Sequence, residues 1–418
     1  MKRALLLIGT AAILLTGGIA VVVLLRSGAR RPPTVQTSVP ASTTVPPTAR
    51  VRPTTAAAPW PMYGVEPRRT GVARNTRIRP PFRTSWVFEA GSLIEFPPVI
   101  ADGHLYLGTN GGRFVALSPD RGTIDWERDF GRCIAASPAF SSGLVDAALM
   151  DPSPCVPHDE SAPGFLVAMR AGTGRIVWRF RAGPIESSPL VVGGLVFVGS
   201  WDRRVYALDA RDGHEVWRFA TDDKVKGAAA YSDGTVYIGS YDGHLYALDA
   251  RSGRLRFSVS LGQIYATPVI EAGRVFVGTL NGTVYALDAD TGRRLWSIHT
   301  GSYVYASASV WHGTVLLGSY DGRFYALDAA SGRLRWSFAA GGPISGSATV
   351  VDGVAYFATC AICIAGATHA GQERTFAVEA LTGRLLWTFP DGDYTPVVAA
   401  GRRAFLVGYE RLFGLTER

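Results

Sequence analysis

From Trp86 to the C-terminus one phrase of about 40 residues recurs. Its cleanest copies read Gly239-Ser-Tyr-Asp-Gly-His-Leu-Tyr-Ala-Leu-Asp-Ala250 and Gly318-Ser-Tyr-Asp-Gly-Arg-Phe-Tyr-Ala-Leu-Asp-Ala329. Each copy closes on a turn glycine followed four residues later by an aromatic: Gly122/Trp126, Gly174/Trp178, Gly213/Trp217, Gly253/Phe257, Gly292/Trp296, Gly332/Trp336 and Gly383/Trp387. A period of this length, built of short strands and glycine turns, specifies a β-propeller, because one unit cannot bury its apolar faces without neighbours on both sides.

The local chemistry is legible in the unit Ala228 to Ser260. Thr235 to Ser240 and Leu245 to Asp249 each alternate in polarity, and Tyr241-Asp242-Gly243-His244 between them supplies the positive φ of a tight hairpin. Asn281-Gly282 and Asp321-Gly322 fill the same slot. Asp249 ahead of Arg251-Ser252-Gly253 suits an Asx turn that reverses the chain into an outermost strand. The aromatic that follows has the bulk to fill the wedge between blades, burying roughly 150–250 Å². Ala207, Ala247, Ala286 and Ala326 are small enough to admit it.

Seven complete units are followed by a remnant, Tyr394 to Arg418, with three strands and no closing aromatic. The missing strand is supplied by Phe82 to Ala90, whose Trp86 lies 40 residues before Trp126. The expected fold is therefore an all-β, eight-bladed propeller over residues 82–418, with four-stranded blades and the N-terminal strand closing the last, so that no sheet edge is left open at the seam.

The phrase Ala-Leu-Asp-Ala-x-x-Gly-x-x-x-Trp, at Ala286 to Trp296 and Ala326 to Trp336, resembles the tryptophan-docking repeat of the pyrroloquinoline quinone (PQQ)-like propellers. The leader, residues 60–81, with Trp60-Pro-Met-Tyr-Gly64 and Arg69-Thr-Gly71, resembles the segment before their first blade. That superfamily includes quinoprotein dehydrogenases, the outer-membrane β-barrel assembly lipoproteins (BamB-like) and extracytoplasmic repeat proteins without known activity, so the resemblance implies a fold and leaves function to particular residues.

Lys2 and Arg3 precede an uncharged apolar run, Ala4 to Leu25, and Arg26, Arg30 and Arg31 follow it. Residues 1–31 are expected to form an uncleaved signal anchor with one membrane-spanning helix. Residues 32–59 hold seven prolines and seven threonines and are expected to form an extended, disordered stalk. The chain is thus expected in the cell membrane as a single-pass protein, its monomeric propeller on the extracytoplasmic side. Through Pro81, twelve basic residues stand against Glu66 alone, giving +11, and the remainder carries 30 basic and 33 acidic residues, giving −3. The net charge of +8 therefore belongs to the anchor, stalk and leader, where it suits anionic lipid or wall polymer, and a nucleic-acid partner for the ring is not expected.

Four cysteines in an oxidising compartment favour two disulfides. The loop entering a blade and the hairpin joining its second and third strands share one face, here termed the top. Cys133 and Cys155 occupy such a pair of loops in the second blade, and a Cys133–Cys155 bridge is expected, with Cys360–Cys363 in the matching insertion of the seventh. A redox dithiol or half a metal site are alternatives for Cys360-Ala-Ile-Cys363, but no second ligand pair is nearby. The insertions Asp151 to Gly164 and Ala361 to Thr375 stretch the aromatic spacing to 52 and 51 residues and decorate the top face, where non-repeating loops carry function.

Aligning the blades on their innermost-strand phrase exposes one variable position: Glu95, Ala135, Glu186, Lys226, Tyr265, Tyr305, Ser345 and Asp393. At the mouth of the channel, Glu95, Glu186, Lys226, Tyr265, Tyr305 and Asp393 are candidates to bind a sugar, a cation or a peptide. Trp126, Trp178, Trp217, Phe257, Trp296, Trp336 and Trp387 are docking residues, while Asp209, Asp249, Asp288 and Asp328 are structural by position, and His214 and His244 sit on the surface. The histidines form no hydrolase or metalloenzyme constellation, and no metal site is expected. The function expected is a non-catalytic binding or scaffold module with a protein or cell-envelope partner on the top face and no cofactor. Two alternatives are a PQQ-dependent dehydrogenase, with Ca²⁺ held by rim carboxylates, and a sensor of cell-wall glycans. Against the first, the chain lacks the adjacent Cys-Cys pair that covers the quinone in that family, a haem motif and the long insertions of its cofactor chamber.

Overall fold

A computed structural model describes residues 60–153, 155, 158–360, 363, 373–392, 394 and 397–418. The expected anchor helix and stalk lie outside the described residues, among which no helix is long and apolar enough to cross a membrane. Eight sheets, antiparallel apart from one added strand, make up the described structure. Blade 1 spans Val99 to Asp129, blade 2 Ala139 to Ala182, blade 3 Leu190 to Ala220 and blade 4 Ala230 to Ser260. Blades 5, 6 and 7 span Val269 to His299, Ser309 to Ala339 and Thr349 to Phe389.

Blade 8 is assembled from both ends of the chain. Its strands Val398–Ala400, Arg403–Val407 and Arg411–Glu417 are completed by Phe82–Glu89, which pairs antiparallel with the last of them. The seam is closed covalently on one side and by this ladder on the other, so Arg411–Glu417 is not left as an open edge and blade 8 has the four strands of a complete blade.

The repeated letters act at the joints between blades. Trp86, Trp126, Trp178, Trp217 and Trp296 each donate an indole N–H to a carbonyl of the next blade, those of Pro119, Ala171, Ala210, Ala250 and Ala329, at 2.7–3.1 Å. Their rings lie over the turn glycines of that next blade. A Cβ at Gly213, for example, would stand 2.5 Å from the Trp178 ring, and Gly213 also holds φ +74°. Glycine here therefore serves both the reversal and the close approach of an indole. Ala207 is the cross-strand partner of Trp217, as the size argument requires, and Trp387 meets Phe82 edge-on at 5.2 Å where the last blade offers no such glycine. The turn aspartates also act within the scaffold: Asp249 accepts the backbone N–H groups of Arg251 and Ser252, and Arg256 holds its carboxyl down to about 2.

The small residues of the inner strands form a second belt. The N–H groups of Ser137, Ala228, Thr267 and Ser307 donate to the hydroxyls of Ser188, Thr267, Ser307 and Ser347 in the following blade at 2.8–3.2 Å.

The leader departs from expectation. It does not simply precede the ring but runs around its inside. Trp60 bridges Ile100 of blade 1, and the carbonyls of Pro61, Pro67, Arg68, Thr70 and Gly71 accept in turn from Phe140, Tyr231, Ile270, Val310 and Val350 of blades 2, 4, 5, 6 and 7, at 2.7–3.0 Å. Val72–Ala73 then pairs parallel with Thr349–Val351, so blade 7 has five strands rather than the four expected. The innermost strands leave these N–H groups unpaired towards the axis, and an extended segment satisfies them. Arg69, 1 % exposed, completes the strap by donating to the carbonyls of Tyr63, Ala229 and Pro189, which links it to blades 3 and 4.

Candidate functional site

Above the strap the channel opens into a cavity of about 280 Å³. Its walls come from the loops entering the blades and from two second-to-third-strand hairpins, and Tyr63 of the leader lies at its base, bonded through its hydroxyl to Ser307 and Ser347 of blades 6 and 7. The structure brings Glu95, Glu186, Lys226, Tyr265, Tyr305 and Ser345 together as lining residues. Asp393 lies outside the described residues; its neighbour Tyr394 lines the cavity. Ala135 is buried with Cys133, Met150, Cys155 and Trp201.

Glu186 is the hub. Its Oε1 accepts from the Tyr265 hydroxyl at 2.7 Å, and its Oε2 accepts from the Trp201 indole at 3.0 Å and lies 3.4 Å from Lys226 Nζ. Side chains of blades 3, 4 and 5 therefore converge on one buried carboxylate, and both of its oxygens are used. Lys226 Nζ also sits 4.1 Å from the centroid of Trp201 and 5.2 Å from that of Tyr241, within the range of cation–π attraction.

Glu95 enters from blade 1. Its Oε2 accepts from Asn110 at 3.2 Å, and Oε1 has no protein partner among the described residues. Burial, and then repulsion from Glu186, push its carboxyl up to about 7, while Asn110 and Lys226 act in the opposite direction. Burial raises Tyr265 well above the ordinary phenol range, and the Glu186 and Glu95 carboxylates add to this.

The opposite wall is aromatic. Tyr241, Tyr265, Tyr305 and Tyr320 form an arc with centroid separations of 6.5, 5.1 and 4.9 Å, extended at the surface by the half-exposed Tyr303. Sequence comparison of the blades missed Trp201, Tyr241 and Tyr320. All three follow the Gly-Ser of a second strand, a position that other blades fill with residues as different as Asn110, Met150, Leu280 and Cys360, and that variation was the available signal.

Both expected disulfides are formed, Cys133–Cys155 and Cys360–Cys363. The first fixes the blade 2 insertion beside the mouth. From there His158 meets the Trp201 ring at 4.9 Å, and Glu160 pairs with Lys224. The second lies on the far side, where Tyr320 Oη is 3.2 Å from Cys363 Sγ. Among the described residues, one group of potential metal ligands clusters, Asp209, Asp212 and His214. It belongs to an exposed turn in which Asp209 is engaged by Arg211 and His214 by Asp212.

Residues 158–389 match the family described as the beta-propeller of the beta-alanine-activating enzyme. The chain is 31 % identical over 135 residues to the serine/threonine-protein kinase AfsK of Streptomyces griseus, a match covering 31 % of this chain and 16 % of the kinase. It is 28 % identical over 138 residues to the outer membrane protein assembly factor BamB of Bordetella pertussis, covering 32 % of each. The chain thus spans less than a third of the length of either relative. The quinohemoprotein alcohol dehydrogenase of Comamonas testosteroni superposes with a TM-score of 0.68 at 16 % identity, over 85 % of this chain and 80 % of that one, a likeness of fold alone.

Proposed function

In a chain that belongs to the beta-alanine-activating-enzyme β-propeller family and shares the PQQ-like, BamB-like ring, we propose a non-catalytic binding module, held on the extracytoplasmic side of the cell membrane by residues 1–31 and a stalk. Its partner, a protein or an envelope polymer, meets the top face. The observation that carries this reading is the convergence of Trp201, Lys226 and Tyr265 on Glu186 inside an aromatic-walled cavity with a closed base. Convergent polar groups in a preformed concavity are the usual anatomy of a ligand site. The similarity to BamB, named as an assembly factor, supports a partner-binding role, and two disulfides suit an oxidising compartment.

A photo-crosslinking residue at Tyr303, on the top face, is expected to capture a discrete partner in intact cells, whereas one at the exposed Asp233 turn on the opposite face is not. Equal capture at both positions, or capture at Asp233 alone, overturns the assignment of the face.

The dehydrogenase alternative is motivated by the shared ring of the quinohemoprotein. The lining residues do not suit PQQ, a quinone bearing three carboxylates. Among the described lining residues the one cation is Lys226, and it is committed to Glu186. Stoichiometric PQQ binding with alcohol- or sugar-dependent dye reduction by the purified chain would establish that alternative instead.

A further inference from the structure

We propose that the axial cavity takes an organic ammonium group, a primary or quaternary amine seated between Glu95 and the tyrosine arc. The inference rests on the cavity being a ligand site and names the chemistry of what enters it.

The argument is one of charge and of open valence. Two carboxylates, Glu95 and Glu186, share the described part of the cavity with a single cation, Lys226. Lys226 is spent on Glu186, whose oxygens are both occupied. Among the described residues Glu95 keeps one oxygen without a protein partner, and it feels Glu186 as a repelling neighbour. The described part of the site thus sets two carboxyl groups against one ammonium, and a positive group near Glu95 would favour its charged form and offset its repulsion from Glu186.

The surrounding surface selects the kind of cation. A hard metal ion needs six to eight oxygen ligands for Ca²⁺, or near-octahedral geometry for Mg²⁺. Across the cavity from Glu95 stand tyrosine rings, whose negative faces attract ammonium groups instead. The protein demonstrates that chemistry within the same cavity: the Lys226 ammonium rests on Trp201 and Tyr241 while paired to a carboxylate. Tyr265 and Tyr305 face the same cavity as Glu95, and among the described lining residues Lys226 is the one cation.

The test is calorimetric titration of the full chain in detergent with butylammonium chloride, tetramethylammonium chloride and uncharged 1-butanol. An ammonium probe is expected to bind once per chain, about 10-fold or more tighter than butanol. Glu95→Gln is expected to weaken it about 10-fold and Tyr305→Ala about 5-fold. Lys226→Met is expected to act in the other direction, strengthening it about 10-fold, because it removes a repelling charge and leaves Glu186 unpaired. A merely damaged cavity loses affinity in every variant, so the opposed signs separate charge recognition from misfolding. Butanol binding as well as the ammonium probes, unchanged affinity in Glu95→Gln, weakened affinity in Lys226→Met, or no binding of either ammonium at about 10 mM overturns the proposal. Should the probes fail while Tyr303 still captures a partner, the binding module stands and the ligand class is wrong.

Discussion

Asp146 offers the sharpest test of how the scaffold and its charges interact. It lies in the second strand of blade 2, paired with Ala139 and Ala168. The equivalent positions of blades 1, 3, 4 and 5 hold Tyr106, Phe197, Tyr237 and Phe276, which lie 5.8–6.4 Å from the docking aromatics of their own blades. Asp146 is 3 % exposed, its Oδ1 has no partner, and burial pushes its carboxyl from 3.8 up to about 8. A carboxyl whose pKa is higher in the folded state binds its proton more tightly there. Stability is therefore greatest at low pH and falls between pH 3.8 and 8 as the unfolded chain ionises first. Across pH 5.5 to 7.5 the loss is about 2.7 kcal/mol, two units at about 1.36 kcal/mol each. For a ring of this size that lowers Tm by roughly 3–4 °C. Asp146→Asn cannot ionise, so calorimetric scans at the two pH values should show that part of the slope removed, with the variant the more stable at pH 7.5. Glu95 slopes in the same sense but is present in both proteins, and the difference isolates Asp146. Parallel pH profiles for wild type and Asp146→Asn would refute the reasoning.

Three further outcomes follow from the joints. Gly213→Ala places a Cβ against Trp178 at positive φ and should cost about 2–4 kcal/mol by urea denaturation, whereas Gly193→Ala, also at positive φ but with nothing within 4 Å, should cost about 1 kcal/mol. Removing Cys133–Cys155, which closes a separation of 22 residues, should cost about 3 kcal/mol, and removing Cys360–Cys363, with a separation of 3, distinctly less, as read from the melting temperatures of the paired Cys→Ser variants. Arg69→Met should cost about 3 kcal/mol or more in urea denaturation, because the carbonyls of Tyr63, Ala229 and Pro189 lose their donor in a buried setting; a loss under about 1 kcal/mol would show that the strap is held by its backbone alone.

The ring was legible because each blade states the same physical requirements: a glycine turn, a small residue opposite an aromatic, an aspartate ahead of a reversal. The strap was not. Trp60 to Ala73 carries little periodicity of its own, and its order is imposed by N–H groups that the innermost strands of six blades leave facing the axis. Only the assembled ring displays those donors together. The candidate site divides along the same line. Glu95, Glu186, Lys226, Tyr265 and Tyr305 could be found because they vary where the repeat is otherwise constant. Tyr241 and Tyr320 were hidden for the opposite reason: they stand inside the two cleanest copies of the repeat, where a shared letter reads as architecture. Their place at the mouth shows that position on a toroid, not departure from the consensus, decides which side chains meet a ligand. In blades 4 and 6 the first residue of the second-to-third-strand hairpin lines the same cavity as the variable position, so the two sets must be compared together. Trp201 makes the case: it replaces tyrosine in that hairpin, and its indole N–H is what holds Glu186 in the orientation that Tyr265 and Lys226 share.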